Sequence, residues 1–305
     1  QQKSSSEASA FSPKLMLRRL LVRMSLPFPI NFSAASPSIR KQKEPSKNFL
    51  NPGVTLKVSP KGWLKNPMTM QAVILAGGFG RRLGPITKDL PKPMVSIHGK
   101  PFLEWLVCEL RRFQINRFVF CLSYLAEVIQ NHFRTGERFN CTVEYSVEPK
   151  PLGTGGAIKH AKRFLDSHFL LLNGDNYLTV DYLDFISAFY RTPAKIGLLA
   201  CWRNDVSTFA SNLGLDEKTG VIRKYDYLKS NGLSYVDSGV KMFSSKLLSY
   251  FPSQEDFSLE SDVLPHLAKE NLLYGYQVSR HALDIGTPET LRQTQETFAI
   301  RHSVF

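Results

Sequence analysis

The chain has 305 residues, 43% of them hydrophobic, and this composition excludes a disordered protein because it supplies enough apolar surface for a substantial core. Its formal net charge of +13 suggests a nucleic-acid-binding protein only until the charge is divided along the chain. Residues 1–69 carry twelve Lys and Arg against two Glu, whereas the rest of the chain carries 27 basic and 24 acidic side chains. The part that is predicted to fold therefore has no general attraction for polyanions, and we expect no nucleic-acid partner.

Residues 1–69 are rich in Ser, Pro and basic residues and show no strong periodicity, so we expect a basic disordered tail or leader before a domain at residues 70–305. The composition of residues 1–69, with few acidic residues, resembles that of an organelle transit peptide. Alternatively, Met68 or Met70 is the true start and the upstream residues are leader or translated non-coding sequence. Residues 15–30, LMLRRLLVRMSLPFPI, are too short and too charged to span a bilayer.

These features bear on the compartment in which the protein works. No stretch of the chain predicts a membrane partner, and the four cysteines form no CxxC pair, which is typical of reduced thiols. We therefore expect a cytoplasmic protein, with organelle import as the alternative if residues 1–69 are a transit peptide.

From residue 71 onward, apolar runs typical of buried strands alternate with amphipathic helical patterns. The predicted strands are 71–75, 117–122, 141–146, 168–173 and 196–202, and the predicted helices between them are 102–113, 125–133, 157–165 and 180–190. Continuous apolar strands between amphipathic helices indicate a parallel sheet that is covered on both faces. The predicted fold class is α/β, Rossmann-like and doubly wound, with ligands beyond the carboxyl ends of the strands.

After about residue 205 the pattern changes. Residues 213–228 predict two strands joined by a turn at Thr219-Gly220, and a further strand is predicted at 235–243. Helices are predicted at 244–251 and 259–270, then a final strand pair at 272–278 and 281–285, then a helix after Pro288. We therefore expect one mixed, mostly parallel sheet with a small accessory β lobe.

The run AVILAGGFGRRLG at residues 72–84 places a glycine-rich turn directly after a buried strand, as in phosphate-binding loops. It is not a dinucleotide fingerprint, because Leu83 stands where the third glycine belongs, and no Gly-Lys-Ser/Thr follows as in a P-loop. Farther along, Lys92 stands between two prolines that restrict the backbone around it. This lysine is expected to place its ammonium near the glycine-rich turn.

The combined motif Gly77-Gly78-x-Gly80-x-Arg82-Leu83-x-Pro85-x-Thr87, followed by Pro91-Lys92-Pro93-Met94, resembles the signature of the sugar-1-phosphate nucleotidyltransferases. The resemblance covers about residues 71–300 and implies a fold of the glycosyltransferase-A type. It also implies an enzyme that converts a nucleoside triphosphate and a sugar 1-phosphate to a nucleotide-sugar and pyrophosphate. We call residues 76–87 the signature loop.

The resemblance also assigns roles to individual residues. It implies that Arg82 holds the triphosphate, that Lys92 contacts the phosphates at the reacting centre, and that Asp175 takes part in catalysis. Asp175 and Asp284 are the implied ligands of Mg²⁺, a cation that favours carboxylate and phosphate oxygens. These roles agree with the chemistry, since phosphoryl transfer needs neutralised charge and alignment, and a sugar phosphate is already a nucleophile without a general base. The implied nucleotide-binding residues are Leu75, Ala76, Gly77, Gly78, Gly80, Arg82, Glu148, Gly153 and Thr154.

The nucleobase prediction depends on Glu148, in the second glycine-rich stretch VEPKPLGTGGAIKHA at residues 147–161. In the family this loop wraps the base, and relatives that use thymidine or uridine nucleotides carry Gln at this position. An ionised carboxylate only accepts hydrogen bonds, and guanine presents two adjacent donors, so Glu148 favours GTP.

The sugar is less well defined by sequence. The family's Glu-Lys-Pro is replaced here by YDYLKS, which leaves Lys224, Lys229 and Lys241 as candidates for the sugar's phosphate, while Asp237 and Gly239 fall where relatives contact sugar hydroxyls. The compact chain is most similar to the D-glycero-D-manno-heptose 1-phosphate and mannose-1-phosphate guanylyltransferase-like members. Alternatives are a uridylyl- or thymidylyltransferase acting on glucose 1-phosphate, and a catalytically silent nucleotide-sugar-binding regulatory subunit. Whether the protein forms a homo-oligomer stays open.

Overall fold

The structure, a computed structural model, describes residues 70–193, 196–205, 210–228 and 232–302. The predicted tail at residues 1–69 and Lys229 lie outside the described residues. The strands are β1 (Gln71–Leu75), β2 (Ser96–Ile97), β3 (Lys100–Pro101), β4 (Arg117–Leu122), β5 (Thr142–Val147), β6 (His168–Asn173), β7 (Asn176–Tyr177), β8 (Gly197–Arg203), β9 (Leu213–Leu215), β10 (Ile222–Tyr225), β11 (Tyr235–Ser244), β12 (Leu273–Val278) and β13 (Leu283–Asp284). The α-helices are α1 (Phe102–Arg112), α2 (Ala126–Phe133), α3 (Gly153–His160), α4 (Tyr182–Arg191), α5 (Leu264–Lys269) and α6 (Pro288–His302).

Nine of the described strands form one mixed sheet, as the apolar runs predict. Strands β5, β4, β1 and β6 are neighbours in that order and run parallel. Strand β11 pairs antiparallel with β6 on one side and β8 on the other, and β12 extends the sheet parallel to β8. Four neighbouring parallel strands with intervening helices are the doubly wound arrangement, and their carboxyl ends meet at one edge of the sheet.

Two hydrophobic clusters cover the two faces of the sheet. Because side chains alternate along a strand, Ala72 and Ile74 of β1 face one cluster and Val73 faces the other. Helices α1, α2, α4 and α6 contribute to the first cluster, and α3 and α5 contribute to the second. The buried amide of Gln71 is satisfied by donating to Phe164 O at 2.8 Å and accepting from Asp166 N at 3.0 Å.

The accessory β lobe is the antiparallel hairpin of β9 and β10. It joins the sheet through Leu213, which pairs with Tyr235 at the start of β11. The turn between the two strands includes Gly220 with a φ of +74°, as the Thr219-Gly220 prediction requires. The hairpin therefore pairs with the beginning of the long strand β11, outside the part of that strand that pairs with β6.

Several predicted elements differ from the observed ones. The final strand pair is wrong as a pair, because β12 takes the available edge of β8 while β13 pairs with β7. The predicted helix at 259–270 begins as a π-helical turn and becomes α-helical only at α5, where Pro265 lacks the amide hydrogen that a continuous α-helix would use. Residues 245–250 form a 3₁₀-helix, and α3 begins four residues before the predicted start. Within the described ranges, every helix is too short or too polar to cross a bilayer.

Candidate active site

A cavity of about 520 Å³ opens at the carboxyl edge of the parallel strands. Residues from the signature loop, from the second glycine-rich stretch at residues 147–161 and from β11 line it. The lining comprises Leu75, Ala76, Gly77, Gly78, Phe79, Arg82, Lys92, Pro93, Cys121, Glu148, Pro151, Leu152, Gly153, Thr154, Ala157, Asn173, Asp175, Asn212, Tyr225, Tyr227, Asp237, Gly239, Lys241 and Glu260. Most of the sequence-predicted site residues therefore meet at one place, whereas Gly80, Lys224 and Asp284 are absent from this lining.

Strand pairing brings the signature loop to Asp175. Strands β1 and β6 are parallel neighbours with Leu75 opposite Asn173, and Gly174 N donates to Leu75 O at 2.8 Å. The chain leaves both strands at the same level, so the loop after β1 and Asp175 after β6 share one wall of the cavity. This closeness follows from sheet order, because the two segments are about a hundred residues apart in sequence.

Lys92 is buried and forms an ion pair with the Asp175 carboxylate. Its short 3₁₀ turn, Lys92–Met94, begins after Pro91 and contains Pro93, so the backbone around the lysine is restricted as predicted. Gly80 does not line the cavity but packs behind this lysine. A Cβ built at Gly80 would lie 3.0 Å from the Lys92 Cβ. The ammonium is thereby held at the cavity wall beside a carboxylate.

Asp284 lies on the strand that pairs with the chain just after Asp175. Strand β13 runs antiparallel to β7 with Asp284 opposite Asn176, and Ile285 N donates to Asp175 O at 3.2 Å. Asp284 Oδ1 accepts from Gly286 N at 2.6 Å. A Cβ built at Gly286 would lie 2.7 Å from that same oxygen and 3.6 Å from Arg82 Nη2, so the carboxylate and the guanidinium flank one glycine.

These neighbours make an oxygen-rich corner that suits a hard divalent cation. Two carboxylates are the usual protein contribution to a Mg²⁺ site, with substrate phosphates and water supplying the other oxygens. In the described ranges no cluster of three or more His, Cys, Asp and Glu is placed to bind a metal. The donor set of Asp175 and Asp284 thus fits a cation that binds together with a phosphate-bearing substrate. Asp284 itself is not among the residues that line the cavity.

Glu148 lies at the other end of the cavity, directly after β5. Its backbone N donates to Leu122 O at 2.8 Å, which ties it to the end of β4. The side-chain Oε2 accepts from Leu152 N at 3.0 Å. Burial raises the pKa of the Glu148 carboxyl, the Leu152 hydrogen bond opposes that shift, and Asp256 adds to it. Glu148 is therefore a buried acceptor whose second oxygen, Oε1, can accept a hydrogen bond from a ligand.

The glycines of the second loop have a structural cause that the sequence did not reveal. Gly155 N and Gly156 N both donate to Phe257 O, at 3.0 and 3.2 Å. A Cβ at Gly155 would lie only 2.2 Å from Phe257 Cε2, so the start of α3 packs directly on the chain around Phe257. The Thr154 hydroxyl accepts from Leu259 N at 2.9 Å and donates to the Glu260 carboxylate. Gly153 and Thr154 line the cavity, whereas the backbone N–H groups of Gly155 and Gly156 point toward Phe257 O instead.

The region that we call the β11 end of the cavity consists of Asn212, Tyr225, Asp237, Lys241 and Glu260. Lys241 Nζ lies 2.9 Å from Asp237 Oδ2, and the Tyr225 hydroxyl donates to the same oxygen at 3.0 Å. Burial disfavours charge on Lys241, but the carboxylates of Asp237 and Glu260 outweigh it and raise the pKa of this lysine. Burial and the Asp237 carboxylate also raise the pKa of Tyr225, so its hydroxyl remains a donor.

The β11 end separates the three lysine candidates. Lys241 lines the cavity, Lys224 does not, and Lys229 is not among the described residues. Lys224 Nζ lies 3.5 Å from Asp226 Oδ2, with more than half of the lysine side chain exposed. Sequence reasoning missed Asn212, Tyr225 and Glu260 altogether, since no spacing links them to the motifs.

Comparison with known proteins decides the family. The model of the family described as nucleotidyl transferase matches residues 71–299. The chain belongs to this family. It is therefore an enzyme of nucleotidyl transfer, with the mixed, mostly parallel sheet of its structural neighbours.

Two relatives of this nucleotidyltransferase are D-glycero-alpha-D-manno-heptose 1-phosphate guanylyltransferases. The protein from Campylobacter jejuni is 35% identical over 72% of this chain and 96% of its own length. The protein from Aneurinibacillus thermoaerophilus is 28% identical over 74% of this chain and 97% of its own length. A crystal structure of HddC from Yersinia pseudotuberculosis complexed with GMP-PN is 32% identical, with a TM-score of 0.65 over 75% of this chain and 99% of that chain.

Proposed function

We propose that this nucleotidyltransferase transfers GMP from GTP to D-glycero-α-D-manno-heptose 1-phosphate, giving a GDP-sugar and pyrophosphate. The observation that carries the proposal is the buried Glu148 carboxylate, which lines the cavity where the chain leaves β5 and is an acceptor suited to the N1–H and N2 amine of guanine. The names of the two relatives, which this chain matches over nearly their whole length, support both the base and the sugar.

In the proposed reaction an oxygen of the sugar phosphate attacks the α-phosphorus of GTP, and the bond to the β-phosphate breaks as pyrophosphate leaves. Lys92 neutralises charge at the reacting centre, and Asp175 holds its ammonium in place. Arg82 binds the triphosphate and the leaving pyrophosphate. Backbone around Gly77 and Gly78 admits the phosphates closely, because neither residue has a side chain.

Asp175 and Asp284 are the residues that would hold Mg²⁺ in this proposal. The cation supplies positive charge to the non-bridging oxygens of the triphosphate when it is bound. Both aspartates offer hard oxygen donors: Asp284 ends β13, and Asp175 directly precedes β7, the strand that pairs with β13. Arg82 is a neighbour of Asp284. The proposed ligands are therefore neighbours of the catalytic groups, Asp175 through its ion pair with Lys92 and Asp284 through its closeness to Arg82.

We place the reaction in the cytoplasm. All four cysteines are unpaired, and three of them are buried. Cys121 lines the cavity, where burial first and the Glu148 charge second raise the pKa of its thiol. Thiols that form no disulfide fit a reducing compartment, and the reaction needs no thiolate.

The experiment that tests the proposal is a matrix of GTP, UTP, CTP and dTTP against D-glycero-α-D-manno-heptose, mannose and glucose 1-phosphates, scored by pyrophosphate release. We expect the highest kcat/KM for GTP with the heptose. The Asp175→Asn variant serves as the inactive control for contaminating activity. Preferred turnover of UTP or dTTP with glucose 1-phosphate would establish the alternative function instead.

A further inference from the structure

Lys241 is a buried lysine in the middle of β11 that still reaches the cavity. Its side chain is 2% exposed, and that of its ion-pair partner Asp237 is 6% exposed. A buried charge is costly unless it is paired and hydrogen-bonded, so this arrangement requires a compensating set of contacts. The signature residues do not explain why a lysine stands here.

A bulge in β11 creates the pair. Asp237 stands opposite Cys201 of β8 and Lys241 opposite Leu199, so four steps along β11 match two steps along its neighbour. In a regular strand residues four apart are separated by about 13 Å, whereas the bulge reduces this to roughly 7 Å. Gly239 provides the turn with a φ of +77°, which other residues rarely adopt. The bulge therefore brings the Lys241 side chain within ion-pair distance of Asp237.

The hydrogen bonds of Asp237 are almost saturated by the protein. Oδ1 accepts from Gly239 N at 2.9 Å, and Oδ2 accepts from both Lys241 Nζ and the Tyr225 hydroxyl. A carboxylate has about four acceptor sites, so roughly one site remains free of protein contacts on Asp237, and this residue lines the cavity. Asn212 Oδ1 accepts from Asp237 N at 2.9 Å and holds the backbone as well. This carboxylate is fixed in direction and can accept one further donor.

The charges around Lys241 argue against a direct phosphate contact. Glu260, which lines the same end of the cavity and whose carboxylate accepts from Thr154, adds to Asp237 in raising the pKa of Lys241 against the effect of burial. Two carboxylates around one ammonium leave this end of the cavity negative. A phosphate would be repelled there, whereas neutral hydroxyl groups find acceptors.

We infer that Lys241 is a positioning residue that aims the Asp237 carboxylate at a hydroxyl group of the sugar ring. The inference rests on the proposed function and deepens it. The sugar end of the site recognises a neutral polyhydroxylated ring through Asp237, and Lys241 acts only through that carboxylate.

A double-mutant cycle tests this role. Lys241→Met, Asp237→Asn and the double variant are compared with the wild type for KM of D-glycero-α-D-manno-heptose 1-phosphate, KM of GTP, and calorimetric binding of the sugar phosphate. Lys246→Met, an exposed lysine just beyond β11, is the matched control. The double variant carries no unpaired charge at the pair itself, so it keeps the test valid if Lys241→Met fails to fold.

We expect each single variant to weaken the sugar phosphate about tenfold with little change in KM for GTP. Adding Lys241→Met to Asp237→Asn should cause no further loss. Additive losses would overturn the inference, because they indicate that the lysine contacts the substrate itself, and an equal rise in KM for GTP would indicate a merely structural role. Absence of sugar 1-phosphate binding by the wild-type protein would contradict the proposed function, and this outcome is distinct from additive losses.

Discussion

Replacing Glu148 by Gln changes one carboxylate oxygen into an amide nitrogen at the place where the guanine donors are expected. The amide oxygen can still accept from Leu152 N, the contact that measures 3.0 Å in the wild type. The amide NH₂ then faces the cavity, so donor meets donor at the guanine edge. Loss of a charge-assisted hydrogen bond at a buried position costs about 3 kcal/mol, or roughly 150-fold in kcat/KM for GTP.

The assay is pyrophosphate release with GTP and UTP at a fixed sugar 1-phosphate concentration. Glu144→Gln is the matched control, because it makes the same chemical change at an exposed position of β5, the strand that Glu148 follows. Burial raises the pKa of Glu148, which means that folding disfavours the charged form, so the neutral glutamine should not lower the free energy of unfolding at neutral pH. An unchanged ratio of GTP to UTP activity in a folded Glu148→Gln variant would refute the guanine argument.

Four further outcomes can be checked with the same protein. Because burial raises the pKa of Glu148, its carboxyl takes up a proton at higher pH than an ordinary Glu, so KM for GTP should rise on acidification more in the wild type than in Glu148→Gln; parallel pH profiles would contradict this. Asp175→Asn should lower kcat by about a thousandfold without changing the circular dichroism spectrum, and residual turnover near the wild-type rate would exclude its catalytic role. Lys92→Met should lower kcat while leaving the base preference unchanged, as measured in the nucleotide matrix. Gly155→Ala should lower the free energy of unfolding in urea by about 1–3 kcal/mol, since its Cβ would lie 2.2 Å from the Phe257 ring, whereas Gly78→Ala meets open space and should stay within about 0.5 kcal/mol.

Local patterns in the sequence predict much of the fold. The apolar runs at β1, β4, β6 and β8 are all strands, because a strand buried on both faces needs continuous apolar side chains. The boundaries that differ do so for reasons outside the periodic pattern. Helix α3 starts early because its glycines pack on Phe257, about a hundred residues away in sequence.

The motif residues could likewise be found from sequence, whereas most of the β11 end could not. Arg82, Lys92 and Asp175 lie in continuous motifs that follow predicted parallel strands. Their shared location follows because the strands β1 and β6 are parallel neighbours. Tyr225 and Glu260 belong to no motif, and only the packing of the hairpin and of the chain before α5 brings them to the cavity.

By itself the sequence determined the α/β class, the signature loop and the family to which it points, because these depend on residue order within short segments. Only the tertiary structure decided that Asp284 pairs with the chain beside Asp175, and that Lys241 meets Asp237 across a bulge. Both are contacts whose geometry depends on strand register, and register is set by the packing of the whole sheet rather than by any one segment. The identity of the charged groups can therefore be read from short segments of the sequence, whereas the distances between them depend on the packing of the whole sheet.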